Sequence, residues 1–533
     1  MPPVHERNAK MNICLLNDSF PPVIDGVANT VMNYARVITA EGHEAIVATP
    51  RYPDADYSGY PYRVVPYQSF NISNLVQGYR AGNPLAMGAI NELVAFRPSL
   101  IHTHCPVSST VMARILRNET GAPVVFTYHT KFDEDIAKAV SSKALQEAGE
   151  RVLVDNITAC DEVWTVSRGA GENLKSLGYE GDYRVVVNGV DFPRGRTSEE
   201  EAFEVTKAFD LPAGIPVFLF VGRLMTYKGL PLIIDAVKIL SDEGVDYRMV
   251  FIGGGVDADV IREQALISGL RVDSVQEDGS ILSEGDDADR PGKVIFTGPI
   301  RDRECLRAWN TRAHLFLFPS TYDTNGIVVR EAAACGLASV LIAGSCAAED
   351  ITDGRNGFLI EETPEAMAKV LAAVCRDPAA AREVGKHAMD EIYLSWDDSV
   401  RRAIGYYEEI IKNKEDGVYD SRKKVVSDRM ITAAAHIDEV GRILRGTPRN
   451  LWETQKSLAV STKQTTKRLL GKPKALYRGM RNSIHGGVQA SLGMPRALYE
   501  GMQENFVDFI DEVKDGFKEV KEDIRGWRNR DDE

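Results

Sequence analysis

Several things are missing from this chain. Its 533 residues hold seven cysteines and no CxxC pair. Several of those cysteines sit inside apolar runs, which suits reduced core residues of a cytosolic protein better than disulfides or zinc ligands. No apolar run approaches about 18 residues, so no helical membrane span is expected. Met1 to Lys10 is polar, and no signal peptide is expected there. There is no GxGxxG after a strand, which excludes the dinucleotide fingerprint. Net positive charge is also lacking. The chain carries −14 at pH 7, which argues against a general nucleic-acid binder.

What is present is globular. Hydrophobic residues make up 44% and charged residues 26%, and this length implies more than one core. Short apolar strands alternate with helical periods. In the first half the strands are Met11–Asn17, Ala45–Thr49, Leu100–His102, Val124–Thr127, Glu162–Val166 and Arg184–Val187, with a helix over Asn29–Ala40. The second half restarts with Val217–Val221, Tyr247–Ile252, Val294–Thr297, His314–Phe318 and Ser339–Ile342. This alternation predicts an α/β fold of two Rossmann-like domains with doubly wound parallel sheets and a cleft between them. The expected division is 1–195, 196–392, a closing helix at 393–412 and a helical tail at 413–533. Arg194 to Glu204 reads as the link, and 269–292 as a polar, mobile loop.

The most informative stretch is Phe318–Gly336, FPSTYDTNGIVVREAAACG. It reads as strand, tight loop, helix. Asp323 stands eight positions before Glu331, so two carboxylates bracket a loop whose amides can meet an anion at the helix start. Such an arrangement suits a ligand with hydroxyls and a phosphate. VGRLMTYKG, Val221–Gly229, places Arg223 and Lys228 at another strand end, where ligands bind in open parallel sheets. Two cations there can neutralise a diphosphate leaving group, although most surface lysines and arginines are merely solvated. Gly26, in PPVIDGVA, lets backbone approach a phosphate at a helix start. His129, in TYHT, ends a strand and can face a cleft. His102 and His104 read as cleft-lining or structural. Asp54-Ala55-Asp56 has metal-binding spacing, but such pairs commonly arise by chance, and no metal site is expected.

These motifs together resemble the retaining GT-B glycosyltransferases of family four over about residues 11–411. Five segments carry the likeness: PPVIDGVA, IHTHCP, TYHT, VGRLMTYKG and PSTYDTNGIVVREAAACG. The resemblance implies that Glu331 holds the donor ribose and that Asp323 bonds the transferred sugar. It also implies that the amides of Asn325, Gly326 and Ile327 reach sugar and phosphate. Arg223 and Lys228 would stabilise the departing diphosphate, Gly26 would approach it from the other half, and His129 would sit by the reacting carbon. The donor would be a nucleotide-sugar, UDP-linked, and no cofactor or metal would be needed. Asp323 stands where the family has glutamate, and Asn325-Gly326 where it has Phe-Gly, departures that bear on sugar preference.

The tail differs from the rest. Three Gly-x-Pro patterns begin at Gly446, Gly471 and Gly493, and 442–482 hold eleven Lys or Arg against one acid, Glu453. Basic repeats with Trp452, Tyr477 and Tyr499 predict an anionic membrane surface as partner through 442–499. The same helices could instead pack on the domains. The seam Phe506, Ile510, Val513, Phe517, Val520, Ile524, Trp527 predicts packing or a weak homodimer. The expected enzyme is therefore a hexosyltransferase acting on a lipid or glycan, diacylglycerol or a glycolipid among them, cytoplasmic and peripheral on the inner membrane face. Its rivals are an epimerase or hydrolase on the same fold and a non-catalytic nucleotide-binding tether.

Overall fold

A computed structural model describes residues 10–23, 25–72, 78–133, 136, 143–285, 287, 289–419, 428 and 431. The basic repeats and the heptad seam lie outside the described residues. The strands are β1 (Asn12–Leu16), β2 (Glu44–Pro50), β3 (Arg63–Tyr67), β4 (Ser69–Asn71), β5 (Arg80–Gly82), β6 (Leu100–Thr103), β7 (Val124–Tyr128), β8 (Glu162–Thr165) and β9 (Arg184–Val185). The second half continues with β10 (Val217–Val221), β11 (Arg248–Ile252), β12 (Val272–Val275), β13 (Ile281–Glu284), β14 (Lys293–Gly298), β15 (Leu315–Phe318), β16 (Ser339–Ile342) and β17 (Phe358–Ile360).

The front sheet runs β3-β2-β1-β6-β7-β8-β9, and every pairing in it is parallel. The rear sheet runs β13-β12-β14-β11-β10-β15-β16-β17. It is parallel except for the β12–β13 hairpin at its edge. Central strands such as VFLFV, buried at all but its last residue, and LFLF, buried throughout, reflect helices covering both faces of a parallel sheet. The structure thus has two parallel α/β sheets in the GT-B manner.

Three expectations are corrected. The segment 269–292, expected as a loop, holds β12 and β13, because Val272 and Ser274 are buried and add to the sheet edge. The link contains a helix, Glu199–Thr206, set by a capping box between Ser198 and Glu201. The first helix begins at Gly26 rather than Asn29, because Asp25 caps it with bonds from Val27 N (2.9 Å) and Ala28 N (2.7 Å).

The closing helix, Trp396–Glu415, returns to the front half. Its apolar stripe of Trp396, Val400, Ile404, Tyr407 and Ile410 is buried in one core with Ile13, Leu15, Tyr34 and Trp164. Arg36–Asp397 (3.0 Å) and Arg401–Glu41 (2.7 Å) rim this packing.

Candidate functional site

β10 and β15 are neighbours in the rear sheet, so the loops after them meet. After β10 the chain makes a one-turn 3-10 helix, Thr226–Lys228, stopped by Gly229 at φ +76. Asp257 fixes this turn, accepting from Thr226 N (2.7 Å) and Thr226 Oγ1 (2.9 Å). A Cβ on Gly229 would lie 2.5 Å from the Pro319 carbonyl oxygen, so glycine lets the lysine turn press against the loop after β15. Lys228 is buried there, and its amine donates to both oxygens of Asp323 at 2.9 Å. Ser320 Oγ donates to the same carboxylate at 2.6 Å. Arg223 stays exposed, 3.3 Å from the Tyr227 hydroxyl.

The loop then starts the helix Ile327–Ala334 from Gly326 at φ +58, with no side chain capping the helix start. A Cβ on Gly326 would sit 2.8 Å from Ala347 Cβ. The first amides of this helix, Ile327 among them, carry the positive end of its dipole without a capping oxygen. Glu331 lies on the same helix, buried and paired with Arg303. Burial pushes its carboxyl above the ordinary value, while Arg303 pulls it down and Asp191 adds to the rise. Arg303 itself stacks 4.4 Å from the Phe192 ring.

The front half supplies the opposite wall. Gly26 has open space where a side chain would be. Beside it, Asp25 Oδ2 accepts from the Tyr79 hydroxyl at 2.8 Å. Burial first and Asp25 second raise the Tyr79 phenol, while Arg223 opposes them. His129 follows β7 and is buried, its imidazole lowered to about 4 by burial, against an opposing pull from Asp25. Thr324 Oγ1 donates to the His129 carbonyl, and Lys131 Nζ donates to the Thr321 carbonyl at 2.9 Å. The Asp323 loop and the end of β7 are therefore in direct contact.

Arg223, Lys228, Asp323, Asn325, Gly326, Ile327 and Glu331 thus line one strand-end face of the rear half. Gly26 and His129 stand on the front half, in the wall facing it. Asp54 and Asp56 stand apart from this cluster in a turn where Asp56 accepts from Ser58 N at 2.9 Å. Reading the sequence missed Arg303, Ser320, Tyr79 and Thr324. Ser320 was findable within the Pro-Ser of the motif; Arg303 and Tyr79 carry no local signal.

The sequence matches the family Glycosyltransferase Family 4 over residues 24–194. It matches Glycosyl transferases group 1 over 215–377. The chain belongs to the GT-B glycosyltransferases of family four. The enzyme is 26% identical over 333 residues to a D-inositol 3-phosphate glycosyltransferase of Streptomyces avermitilis, covering 60% of this chain and 68% of that one. It is 21% identical over 391 residues to an alpha-monoglucosyldiacylglycerol synthase of Streptococcus pneumoniae, covering 72% and 81%. Among solved structures, Anabaena Alr3699/HepE in complex with UDP-glucose shares the fold at TM-score 0.56 and 17% identity, covering 75% of this chain and all (100%) of that one. Sucrose-phosphate synthase from Thermosynechococcus elongatus does so at 0.56 and 21%, covering 76% and 100%. Gly26 and His129 fall in the first matched segment and the remaining candidate site residues in the second.

Proposed function

We propose that the enzyme moves a hexose, with retention, from a nucleotide-sugar to a lipid or glycan acceptor at an anionic membrane surface. The observation that carries this reading is the Lys228–Asp323 contact, 2.9 Å to each carboxylate oxygen, set beside an uncapped helix start. A cation for a departing phosphate and an acceptor for sugar hydroxyls are thereby within one sugar's reach of each other.

The step follows from charge. As the bond from the anomeric carbon to the diphosphate oxygen lengthens, negative charge grows on that oxygen. Lys228, Arg223 and the amides of Asn325, Gly326 and Ile327 receive it. The acceptor oxygen bonds to the same face of the carbon, and its proton passes to the departing phosphate oxygen. The products are a glycoside and a nucleoside diphosphate. Glu331 would hold the ribose, and the side-chain cations would do the work of a metal.

UDP-glucose is the first donor to test, since the Anabaena fold relative was solved with it. GDP-mannose is the second, since a Mycobacterium tuberculosis relative of 24% identity is a GDP-mannose-dependent phosphatidylinositol dimannoside mannosyltransferase. A lipid acceptor is supported by that name and by the diacylglycerol-glycolipid synthase. No helix among the described residues is long and apolar enough to cross a membrane, so the basic segment 442–499 is proposed as the contact, on the cytoplasmic face. Nucleoside diphosphate release is measured with and without lipid extract. Release that lipid stimulates supports transfer; release of free sugar alone indicates a hydrolase; none with either donor indicates a tether. An inverted anomeric proton coupling in the product would sink the retaining step. Flotation with anionic and neutral liposomes, with and without 442–499, tests the membrane contact.

A further inference from the structure

The front half contains a cluster of three neighbouring histidine rings, of which His104 and His129 are stacked. His102 and His104 ring centres are 4.0 Å apart, and those of His104 and His129 are 5.2 Å apart. His102 is satisfied at both nitrogens, by the Tyr407 hydroxyl at 2.6 Å and Thr127 Oγ1 at 2.7 Å. His104 Nδ1 faces His129 Nε2 at 3.0 Å. One of these two nitrogens carries the hydrogen and the other accepts it.

The far nitrogens decide which. His104 Nε2 is buried and has no partner among the described residues. Were the hydrogen of His104 on Nε2, a buried N–H would have no acceptor, a rarer and costlier state than a bare lone pair. His104 therefore carries its hydrogen on Nδ1 and donates to His129 Nε2. His129 must then hold its own hydrogen on Nδ1. That nitrogen is absent from the buried, unpartnered atoms, and it meets no protein group among the described residues. The backbone carbonyl of the same residue accepts from the Thr324 hydroxyl, so His129 stands beside the loop that carries Asp323.

We propose that His104 is a positioning residue that locks His129 in the Nδ1–H tautomer, so that His129 offers the bound sugar a donor opposite the acceptor oxygens of Asp323. Only the catalytic benefit rests on the proposed function; the tautomer stands or falls on the free enzyme. The division of labour has a chemical logic. Asp323 can only accept hydrogen bonds, and a neutral imidazole held in one tautomer supplies the complementary donor without bringing a positive charge to a carbon that is itself becoming positive.

The test is 15N NMR of the full chain carrying ring-labelled histidine. Expected is an Nδ1–H signature for His129 in the wild type and in His104→Asn, whose amide nitrogen can donate from the position of Nδ1. His104→Leu, which cannot donate, should shift His129 toward Nε2–H. Tyr407→Phe, which alters only the His102 end, should leave it unchanged. In UDP-glucose turnover, His104→Leu should lower kcat by about tenfold with KM nearly constant, as for a contact made in the transition state, and His104→Asn should recover most of it. Wild-type His129 bearing its hydrogen on Nε2 overturns the proposal, even if His104→Leu fails to fold. So does an unchanged tautomer in a folded His104→Leu. Wild-type enzyme inactive on every donor, with the tautomer as expected, removes the transferase reading and leaves the lock in place.

Discussion

Lys228 Nζ stands 2.9 Å from each carboxylate oxygen of Asp323. Among the described residues the amine has no other hydrogen-bond partner, and the carboxylate spends one oxygen on Ser320 as well. In the absence of donor the two groups neutralise each other and hold each other in place. On the proposed reading, donor binding turns the amine toward phosphate while the carboxylate keeps sugar hydroxyls. Lys228→Ala therefore removes charge stabilisation that matters most in the transition state. The expected loss is about 10²–10³ in kcat, the range for one such donor, with a smaller change in donor KM. A change confined to KM would show that Lys228 only helps to hold the ground state.

Asp323→Glu tests the site's reach. The added methylene pushes the carboxylate toward Lys228 and the bound sugar, inside a pocket already fixed by Ser320. The reaction should survive, because acid and cation remain paired. The ratio of kcat/KM between UDP-glucose and UDP-galactose should move by about tenfold, the effect of roughly one hydrogen bond gained or lost. Unchanged ratios would place Asp323 away from the sugar.

Much of this site was legible in the chain because its parts are local. Asp323, Gly326 and Glu331 fall within one strand-loop-helix that the apolar runs mark, while the roles expected of them come from the family resemblance. The parallel sheets were legible for the same reason, as uninterrupted apolar runs. What escaped depends on distance along the chain. Arg303 meets Glu331 from 28 residues away, and Tyr79 meets Asp25 from 54. The hairpin in 269–292 escaped because its polar, acidic turn dominates its composition, while a few buried residues at the sheet edge decide its structure.

Three neutral, buried histidines should make the fold acid-sensitive. His129 is lowered to about 4, and His102 and His104 lie well below their ordinary value, burial being the leading cause for all three. A base lowered on folding takes up its proton mainly when unfolded. Stability is then complete above the unfolded value, about 6.5, and falls with pH down to the folded value. Each histidine contributes about 1.4 kcal/mol per pH unit in that window. Urea unfolding at pH 7.5 and 5.5 should differ by several kcal/mol, with proton uptake on unfolding. Equal stability at the two values would mean that the cluster is charged in the native state.

The two halves are latched at a second point. Glu349 accepts from the amides of Arg168 (2.7 Å) and Gly169, at the start of the helix Arg168–Ser176. A Cβ on Gly169 would lie 2.6 Å from Cys346 Sγ and 3.1 Å from Glu349 Oε1. Gly169→Ala should therefore part the halves here without disturbing either core. Small-angle scattering should report a larger radius of gyration and turnover should fall, with little change in melting temperature. Adding Cys346→Ala removes the obstructing sulfur and should restore both. Scattering identical to wild type for Gly169→Ala would dismiss the latch.

Beyond the closing helix, Asp428 is 1% exposed and sits between two arginines of the front half. Arg114 Nε reaches its Oδ1 at 2.9 Å, and Arg117 reaches its Oδ2 with Nε at 2.9 Å and a terminal nitrogen at 2.6 Å. Arg117 also donates to Asp161 Oδ2 at 3.0 Å, and Arg114 donates to the side-chain Oδ1 of Asn156 at 2.7 Å. Both arginines are buried. Asp428→Asn keeps the shape but takes from the two buried arginines the carboxylate they share, which should cost about 3–5 kcal/mol of stability. Denaturant unfolding measures this directly, and a loss under about 1 kcal/mol would mean that the arginines are adequately solvated without Asp428. Ile431 packs on the same core.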